Sequence, residues 1–237
     1  MQAATATSIA SRWSPSALVP ADFQDSESPP YELPAQAPLH LRILRTARER
    51  EQLAGLRKYA PMGVEDDLGA GLMPYEAMRD EVGVVTAMYR GSELVGTLRF
   101  VPSGLDLTAA ERLAGGIGDA ATKILGAGSW EIGRLIVAPD ERSPEVLTQC
   151  LTLALEALME EREVERFYAI ATPVMARLWR RWGMRPVAPL RGASGREFLL
   201  VSGLMSAAAA ALDVPVVLPQ MLATPQPMRH ERMALSA

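Results

Sequence analysis

The chain has 237 residues, of which 49% are hydrophobic and 22% charged, and its formal net charge is −4. A chain of this length and composition can bury its own core without disulfides or metal ions. Its acidic balance argues against general nucleic-acid binding. A single cysteine and two histidines exclude a disulfide framework and a cysteine-based zinc site, and they make a Ser-His-Asp triad hard to build.

The sequence contains no stretch with the length of a membrane span. The longest apolar stretch, residues 204–218, is interrupted by Asp213 and Pro215, whereas a span needs about 20 apolar residues. The first residues lack the charged region and apolar core of an export signal. We therefore expect a cytoplasmic protein.

Proline is concentrated at the two ends of the chain, where ten of the 18 prolines lie. Residues 1–38 have no hydrophobic periodicity, which predicts a disordered or loosely packed arm. Residues 39–202 carry the periodic segments and predict one folded domain. An Ala/Pro/Met-rich tail is predicted over residues 203–237, so a second full domain is not expected.

The domain begins with a predicted strand, a helix and a loop. Residues 39–44 (LHLRIL) alternate between apolar and polar side chains, as a half-buried strand does. Thr46 and Glu49 have the spacing of a capping box, which predicts a helix over 46–59. Residues 60–80 are rich in Gly and Pro and predict a long loop with one helical turn. A loop of that length inside a compact domain is usually functional.

The rest of the domain alternates strands with helices. Ser143 and Pro144 supply a helix N-cap and first-turn proline. The order predicts an α/β (α+β) fold with one mixed, mostly antiparallel sheet of about six strands and helices on both faces. The predicted elements are strands 82–89 and 94–101, a glycine-interrupted helix 106–124, strand 130–137, helix 143–161, strand 164–171, helix 173–183 and strand 197–202.

Three segments carry a resemblance to a known superfamily: Glu93–Arg99 (ELVGTLR), Trp130–Pro139 (WEIGRLIVAP) and Leu178–Met184 (LWRRWGM). With the element order, they resemble a hairpin strand, the central strand before the acyl-donor loop, and a helix that ends in glycine in the GNAT superfamily of acyltransferases. The resemblance covers roughly residues 39–202. It implies transfer of an acyl group to an amine, with acyl-CoA or an acyl carrier protein as cosubstrate and no bound cofactor or metal.

A narrower resemblance concerns Arg99 followed by Trp130-Glu131-x-x-Arg134. This pattern is similar to the acyl-homoserine-lactone autoinducer synthases and the N-acyl amino acid synthases. The similarity implies a long acyl chain, usually taken from acyl carrier protein, and a small amine acceptor. Arg57 and Asp66/Asp67 lie in a region where autoinducer synthases carry Arg and Asp residues.

The expected donor loop departs from the pattern of acetyl-CoA enzymes. Residues 139–146 (PDERSPEV) contain no glycine and three acids, and Pro144 lacks an N–H group. A diphosphate would be poorly received there, because such groups bind to free N–H groups at a helix N-terminus. The phosphopantetheine of a carrier protein has no adenosine diphosphate end and would tolerate this loop. Residues 174–182 also lack the tyrosine general acid of many family members.

Glu131 is the candidate general base, acting directly or through a water, because apolar neighbours would raise its pKa. The alternative is a structural ion pair between Glu131 and Arg134. Residues i and i+3 of a strand point to opposite faces, so this pair needs a bulge at Gly133. Arg134 is a candidate catalytic residue, or else it braces the loop 60–80.

The other candidates concern the substrates. Arg99 is a candidate to bind the acceptor carboxylate through two hydrogen bonds, or it braces a loop. Trp130 lines an acyl tunnel or belongs to the core. A backbone N–H near residues 135–137 would stabilise the oxyanion. The residues expected to contact the acyl donor are Leu135, Ile136, Val137, Arg142 and Ser143.

Two further features have both a functional and a structural interpretation. Cys150 lies on the apolar face of its helix, which favours buried core over a nucleophile. A basic helix end either complements the helix dipole or receives an acidic carrier protein. Its residues are Arg177, Arg180, Arg181 and Arg185.

The leading hypothesis is an N-acyltransferase that moves a long acyl chain to an amino acid or amino-acid-like acceptor. One alternative is an ordinary acetyl-CoA-dependent N-acetyltransferase of the same fold. Another is a non-catalytic module that senses an acyl or amino-acid ligand, with which the altered donor loop and the missing tyrosine are also compatible.

Overall fold

The structure is a computed structural model that describes residues 37–60 and 64–215. Nearly all of the predicted N-terminal arm, and residues 216–237 of the predicted tail, lie outside the described residues. No helix in the described ranges is long and apolar enough to cross a membrane.

One sheet of seven strands organises the described residues, in the order β1-β2-β3-β4-β5-β7-β6. Only β4 and β5 pair in parallel, and every other neighbouring pair is antiparallel. This confirms the predicted mixed sheet, with one strand more than expected. The strands are β1 (Leu39–Ile43), β2 (Val84–Arg90), β3 (Glu93–Pro102), β4 (Ser129–Val137), β5 (Arg166–Ala171), β6 (Arg185–Arg191) and β7 (Glu197–Leu204).

The α-helices are mostly short. Single 3₁₀ turns cover Glu51–Leu53, Met73–Tyr75 and Pro139–Glu141. The α-helices are α1 (Ala47–Arg50), α2 (Ala54–Arg57), α3 (Val64–Asp67), α4 (Glu76–Val82), α5 (Ala109–Arg112), α6 (Ala114–Ile117), α7 (Asp119–Thr122), α8 (Pro144–Glu161), α9 (Pro173–Arg181) and α10 (Met205–Ala211).

Local sequence signals place several helix ends correctly. Thr46 and Glu49 form the predicted capping box at the start of α1. Ser143 accepts a hydrogen bond from the Val146 N–H at 3.1 Å and starts α8. After α9, Gly183 adopts a φ of +79°, a left-handed conformation that glycine reaches without steric cost.

Other predicted boundaries change. The predicted loop over residues 60–80 contains α3, a 3₁₀ turn and the start of α4, and the predicted helix over 106–124 is three separate turns. Strand β6 is absent from the sequence prediction because Pro186 and Pro189 disfavour strands. It is the last strand of the sheet order, an edge position where a proline whose nitrogen faces away from the neighbouring strand removes no ladder hydrogen bond. Beyond residue 202, β7 continues to Leu204 and α10 follows.

Helices cover both faces of the sheet. On one face, α8, α9 and α10 enclose the main apolar core, which includes Trp130, Leu155 and Trp179. On the other, smaller clusters form around Leu53 and around Tyr168. Cys150 is buried in the main core, as predicted, and burial raises the pKa of its thiol to about 11.

Candidate active site

Strands β4 and β5 pair over three residues and then separate. The parallel ladder joins residues 129–131 to residues 166–168. Within the described ranges, no strand pairs with the β5 side of β4 beyond Glu131. In residues 132–137, the backbone N–H and C=O groups on the β5 side of β4 therefore form no hydrogen bonds to a neighbouring strand among the described residues.

Strand β4 contains a β-bulge just after Gly133. The register shifts between Thr97 and Arg99 of β3, so that one residue of β3 opposes two residues of β4 between Gly133 and Ile136. Arg134 lies in this bulge with a φ of +53°. Bulges redirect side chains and are common beside active sites. The bulge at Gly133 that a direct pair of Glu131 and Arg134 would need is therefore present.

A cleft of about 140 Å³ opens where the two strands part. Its floor is β4 from Glu131 to Ile136, and its walls include Glu65 of α3, Ala109 of α5 and Ile170 of β5. Only 3% of Glu131 is exposed. The cleft therefore combines an open strand edge with a buried carboxylate.

Glu131 belongs to a cluster of four arginines and four carboxylates, which we call the ionic cluster. Arg79, which is fully buried, is at its centre. One terminal nitrogen of Arg79 donates to Glu131 at 2.6 Å and lies 2.8 Å from Glu65, while the other lies 2.9 Å from Glu76. The members of the cluster are Arg57, Glu65, Glu76, Arg79, Asp80, Arg99, Glu131 and Arg134.

The rest of the ionic cluster continues from α4 to β3 and α2. Nη1 of Arg99 donates to Glu76 at 2.9 Å and to Asp80 at 2.8 Å. Arg57 donates to both carboxylate oxygens of Asp80, at 2.6 and 3.0 Å. Buried charges are tolerated when they are paired in this way. The cluster therefore fixes α4 against the sheet beneath the cleft.

The two central carboxylates have opposite pKa shifts. Burial raises the pKa of Glu131 from 4.5 to about 7, although the charge of Arg79 and the N–H of Ala109 lower it. Burial would also raise the pKa of Glu76, but hydrogen bonding and charge from Arg99, with the charge of Arg134, lower it to about 2. At neutral pH, Glu76 is ionised whereas Glu131 is poised to exchange a proton.

The predicted pair of Glu131 and Arg134 is not a direct ion pair. Glu131 accepts hydrogen bonds from Arg79 and from the Ala109 N–H, the latter at 2.8 Å. Arg134 lies 3.0 Å from Glu76. Glu131 and Arg134 both line the cleft, but they are connected through other members of the ionic cluster rather than directly to each other.

Two predicted substrate-binding residues lie away from the cleft. Arg99 is fully buried, and Glu76 and Asp80 already accept its hydrogen bonds, so it is not available to bind an acceptor carboxylate. Trp130 packs in the main core, on the opposite face of β4 from Glu131 because strand neighbours alternate. The position of Trp130 therefore agrees with the interpretation that it belongs to the core. An apolar cavity of about 20 Å³ lies in that core beside Ile132.

The predicted donor-binding residues divide into two groups. Leu135 and Ile136 line the cleft. Val137 is buried in the core, and its carbonyl accepts a hydrogen bond from Arg142 at 3.0 Å. Ser143 is engaged as the N-cap of α8.

The sequence interpretation missed four members of the ionic cluster: Glu65, Glu76, Arg79 and Asp80. The available signal was the spacing of Glu76, Arg79 and Asp80, which places them on one face of a helix turn. Asp67, by contrast, accepts hydrogen bonds from the backbone and side chain of Ser194, and it lies outside the cluster. Among the described residues, no group of His, Cys, Asp or Glu side chains is arranged to hold a metal ion.

Known structures share this fold. FeeM, an N-acyl amino acid synthase from uncultured soil microbes, matches with a TM-score of 0.57 and 13% identity, over 73% of this chain and 94% of FeeM. The AHL synthase LasI matches with a TM-score of 0.52 and 12% identity, over 77% of this chain and 99% of LasI. At these identities the likeness establishes the fold alone, which is the predicted GNAT fold. No protein-family model and no curated protein sequence matches the chain.

Proposed function

We propose that the chain is an N-acyltransferase that moves an acyl chain from a thioester donor to the amine of an amino acid or amino-acid-like acceptor. The observation that carries this proposal is the position of Glu131, a buried carboxylate with a pKa of about 7, at the cleft where β4 and β5 part. The synthases FeeM and LasI, which have the same fold, support the reaction class.

Amide formation from a thioester needs a base for the amine proton and donors for the oxyanion, and the carbon–sulfur bond then breaks as the donor's thiolate leaves. Glu131 supplies the base, and its pKa near neutrality suits that task. Each of its carboxylate oxygens accepts one hydrogen bond and can accept a second, so the amine proton can reach it directly or through a bridging water. The backbone N–H groups of β4 beyond Glu131 stabilise the oxyanion.

The donor loop favours a carrier-protein thioester over acyl-CoA. At the start of α8, Pro144 has no N–H group, and the N–H of Val146 is bonded to the Ser143 hydroxyl. The Leu147 N–H donates to the Ser143 carbonyl, and the N–H of Glu145 lowers the pKa of its own carboxylate by hydrogen bonding. The groups that would hold a diphosphate are therefore engaged within the protein.

An apolar cavity of about 20 Å³ marks the point at which an acyl chain would enter the core, where the surrounding side chains would have to move to admit its length. Its lining is almost entirely apolar and includes Leu98, Phe100, Trp179 and Trp182. Ile132 lines both this cavity and the cleft. An acyl chain whose thioester lies at the β4 edge would pass Ile132 into this part of the core, where burial of each methylene contributes about 0.8 kcal/mol.

A basic surface on and around α9 supports docking of an acidic carrier protein. In the described part of the chain, none of its arginines forms an ion pair. Arg180 lines one surface cleft with Arg166 and Arg185, and a second with Arg177. We call this the α9 surface; its members are Arg166, Arg177, Arg180, Arg181 and Arg185.

Reversing charge on the α9 surface is expected to weaken use of a carrier-protein donor. In the double variant Arg177→Glu/Arg180→Glu, KM for an acyl carrier protein should rise about tenfold at low salt, because complementary charge favours association. KM for the acyl-CoA with the same chain should change by less than about twofold. Exposed Arg196, replaced by glutamate, is the matched control. An equal rise for both donors would contradict carrier docking on this surface.

The proposed function is tested by incubating the protein with an acyl donor and a panel of amino acids, and detecting N-acyl products by mass spectrometry. The donors are dodecanoyl and acetyl groups, each on carrier protein and on CoA. A product from a long-chain carrier donor is the expected result. A strong preference for acetyl-CoA would instead indicate an ordinary acetyltransferase. Tight donor binding without any product would indicate a non-catalytic module.

A further inference from the structure

Three charged side chains of the ionic cluster line the cleft: Glu65, Glu131 and Arg134. The other five members lie behind them and do not line it. Arg134 is therefore the one guanidinium of the cluster that reaches the cleft, and 27% of its side chain is exposed. Arg99, by contrast, has no exposed side-chain surface.

Some hydrogen-bond donors of Arg134 have no acceptor among the described residues. Its Nε and Nη2 both contact the same oxygen of Glu76, at 3.3 and 3.0 Å. An arginine carries five N–H donors, and the other edge of this guanidinium, formed by Nη1 and Nη2, has no acceptor among the described residues. That edge has the geometry that binds a carboxylate through two parallel hydrogen bonds.

The backbone at Arg134 is strained in a way that directs this side chain. Its φ of +53° lies in the left-handed region, which is costly for a residue with a Cβ. The preceding residue, Gly133, would adopt that conformation freely, yet the bulge places arginine there. Strained residues of this kind concentrate at functional sites when the surrounding structure holds them in place.

Two carboxylates that line the cleft are suited to bind an amine. Glu65 and Glu131 approach the same terminal nitrogen of Arg79, at 2.8 and 2.6 Å, so their carboxylates converge on one point. Each carboxylate oxygen can accept a second hydrogen bond. Of the Glu65 side chain, 23% is exposed.

The remainder of the cleft is apolar and small. Among the described residues, its other side-chain contributors are aliphatic: Ala60, Val64, Ala109, Ile132, Leu135, Ile136 and Ile170. A charged group placed among them would lose its hydration without gaining a partner. The cleft therefore combines a guanidinium with free hydrogen-bond donors, two converging carboxylates and an aliphatic wall.

We propose that the acceptor is a zwitterionic α-amino acid with an aliphatic side chain, whose carboxylate binds Arg134 and whose amine lies between Glu65 and Glu131. This assignment rests on the proposed function. It gives to Arg134 the carboxylate-binding role that the sequence had suggested for Arg99.

The test compares leucine with leucinamide, which has the same amine and side chain but no carboxylate, as acceptors for the wild-type protein. We expect kcat/KM for leucine to exceed that for leucinamide by about 100-fold, because a site built for two hydrogen bonds rejects a ligand that lacks them. Lysine and glutamate, whose side chains are charged, should be used at least about tenfold less well than leucine.

Arg134→Gln should lower kcat/KM for leucine about 100-fold, mainly through KM, but that for leucinamide by less than about fivefold. Arg134→Lys, which keeps the charge but not the paired hydrogen bonds, should restore only part of the preference. Equal use of leucine and leucinamide by the wild-type protein would overturn the assignment while leaving the acyltransferase proposal intact. Acylation of none of these amines would count against the proposed function itself.

Discussion

Replacing Glu131 by glutamine is expected to lower kcat for acyl transfer by about 100-fold or more. Glutamine has nearly the same shape, and its amide oxygen can still accept the hydrogen bond of either Arg79 or Ala109, but it cannot take a proton from the amine. Product formation at saturating donor and acceptor, followed by mass spectrometry, gives the measurement.

The matched control is Glu163→Gln, which makes the same change at an exposed position. It should leave kcat within about twofold of the wild-type value. If Glu131→Gln also retains near-normal kcat, Glu131 is not the base, and its raised pKa reflects burial within the ionic cluster alone.

Replacing Arg99 by methionine is expected to lower the free energy of unfolding by about 3–5 kcal/mol, the cost of removing one partner from a buried ion pair. Arg99 is fully buried and donates to both Glu76 and Asp80. Without it, these two carboxylates remain buried with one cation fewer. Urea unfolding followed by tryptophan fluorescence measures the change.

Arg196→Met is the control for this stability experiment, because Arg196 is exposed and its side chain forms no ion pair in the described part of the chain. Its free energy of unfolding should stay within about 0.5 kcal/mol of the wild-type value. A loss below about 1 kcal/mol for Arg99→Met would show that the ionic cluster contributes little to folding.

The sequence predicts the sheet and its main helix because the responsible signals are local. The Ser143-Pro144 start of α8 depends on residues within one helical turn. The capping box of Thr46 and Glu49 is equally local. From the sequence we could say only that a direct pair of Glu131 and Arg134 would need a bulge at Gly133. Whether the bulge exists depends on which strand pairs with β4, and no local signal in the sequence shows this.

The ionic cluster could not be predicted because its members meet only in the tertiary structure. Arg79 and Glu131 are 52 residues apart, and α4 lies in a segment whose Gly and Pro content predicts a loop. Arginines are usually exposed, so nothing in the sequence marked Arg99 as buried. The sequence therefore singled out Glu131 as a candidate but not Glu65, Glu76, Arg79 and Asp80, four other members of the ionic cluster.

The central claim, that Glu131 accepts the amine proton, is tested most directly by the pH dependence of kcat/KM. A base must be ionised to act, and the ionised fraction of Glu131 increases as pH rises through its pKa of about 7. The wild-type profile should therefore rise with pH and bend near pH 7, and this bend should be absent in Glu131→Gln. A bend of the same size and position in both proteins would contradict the claim.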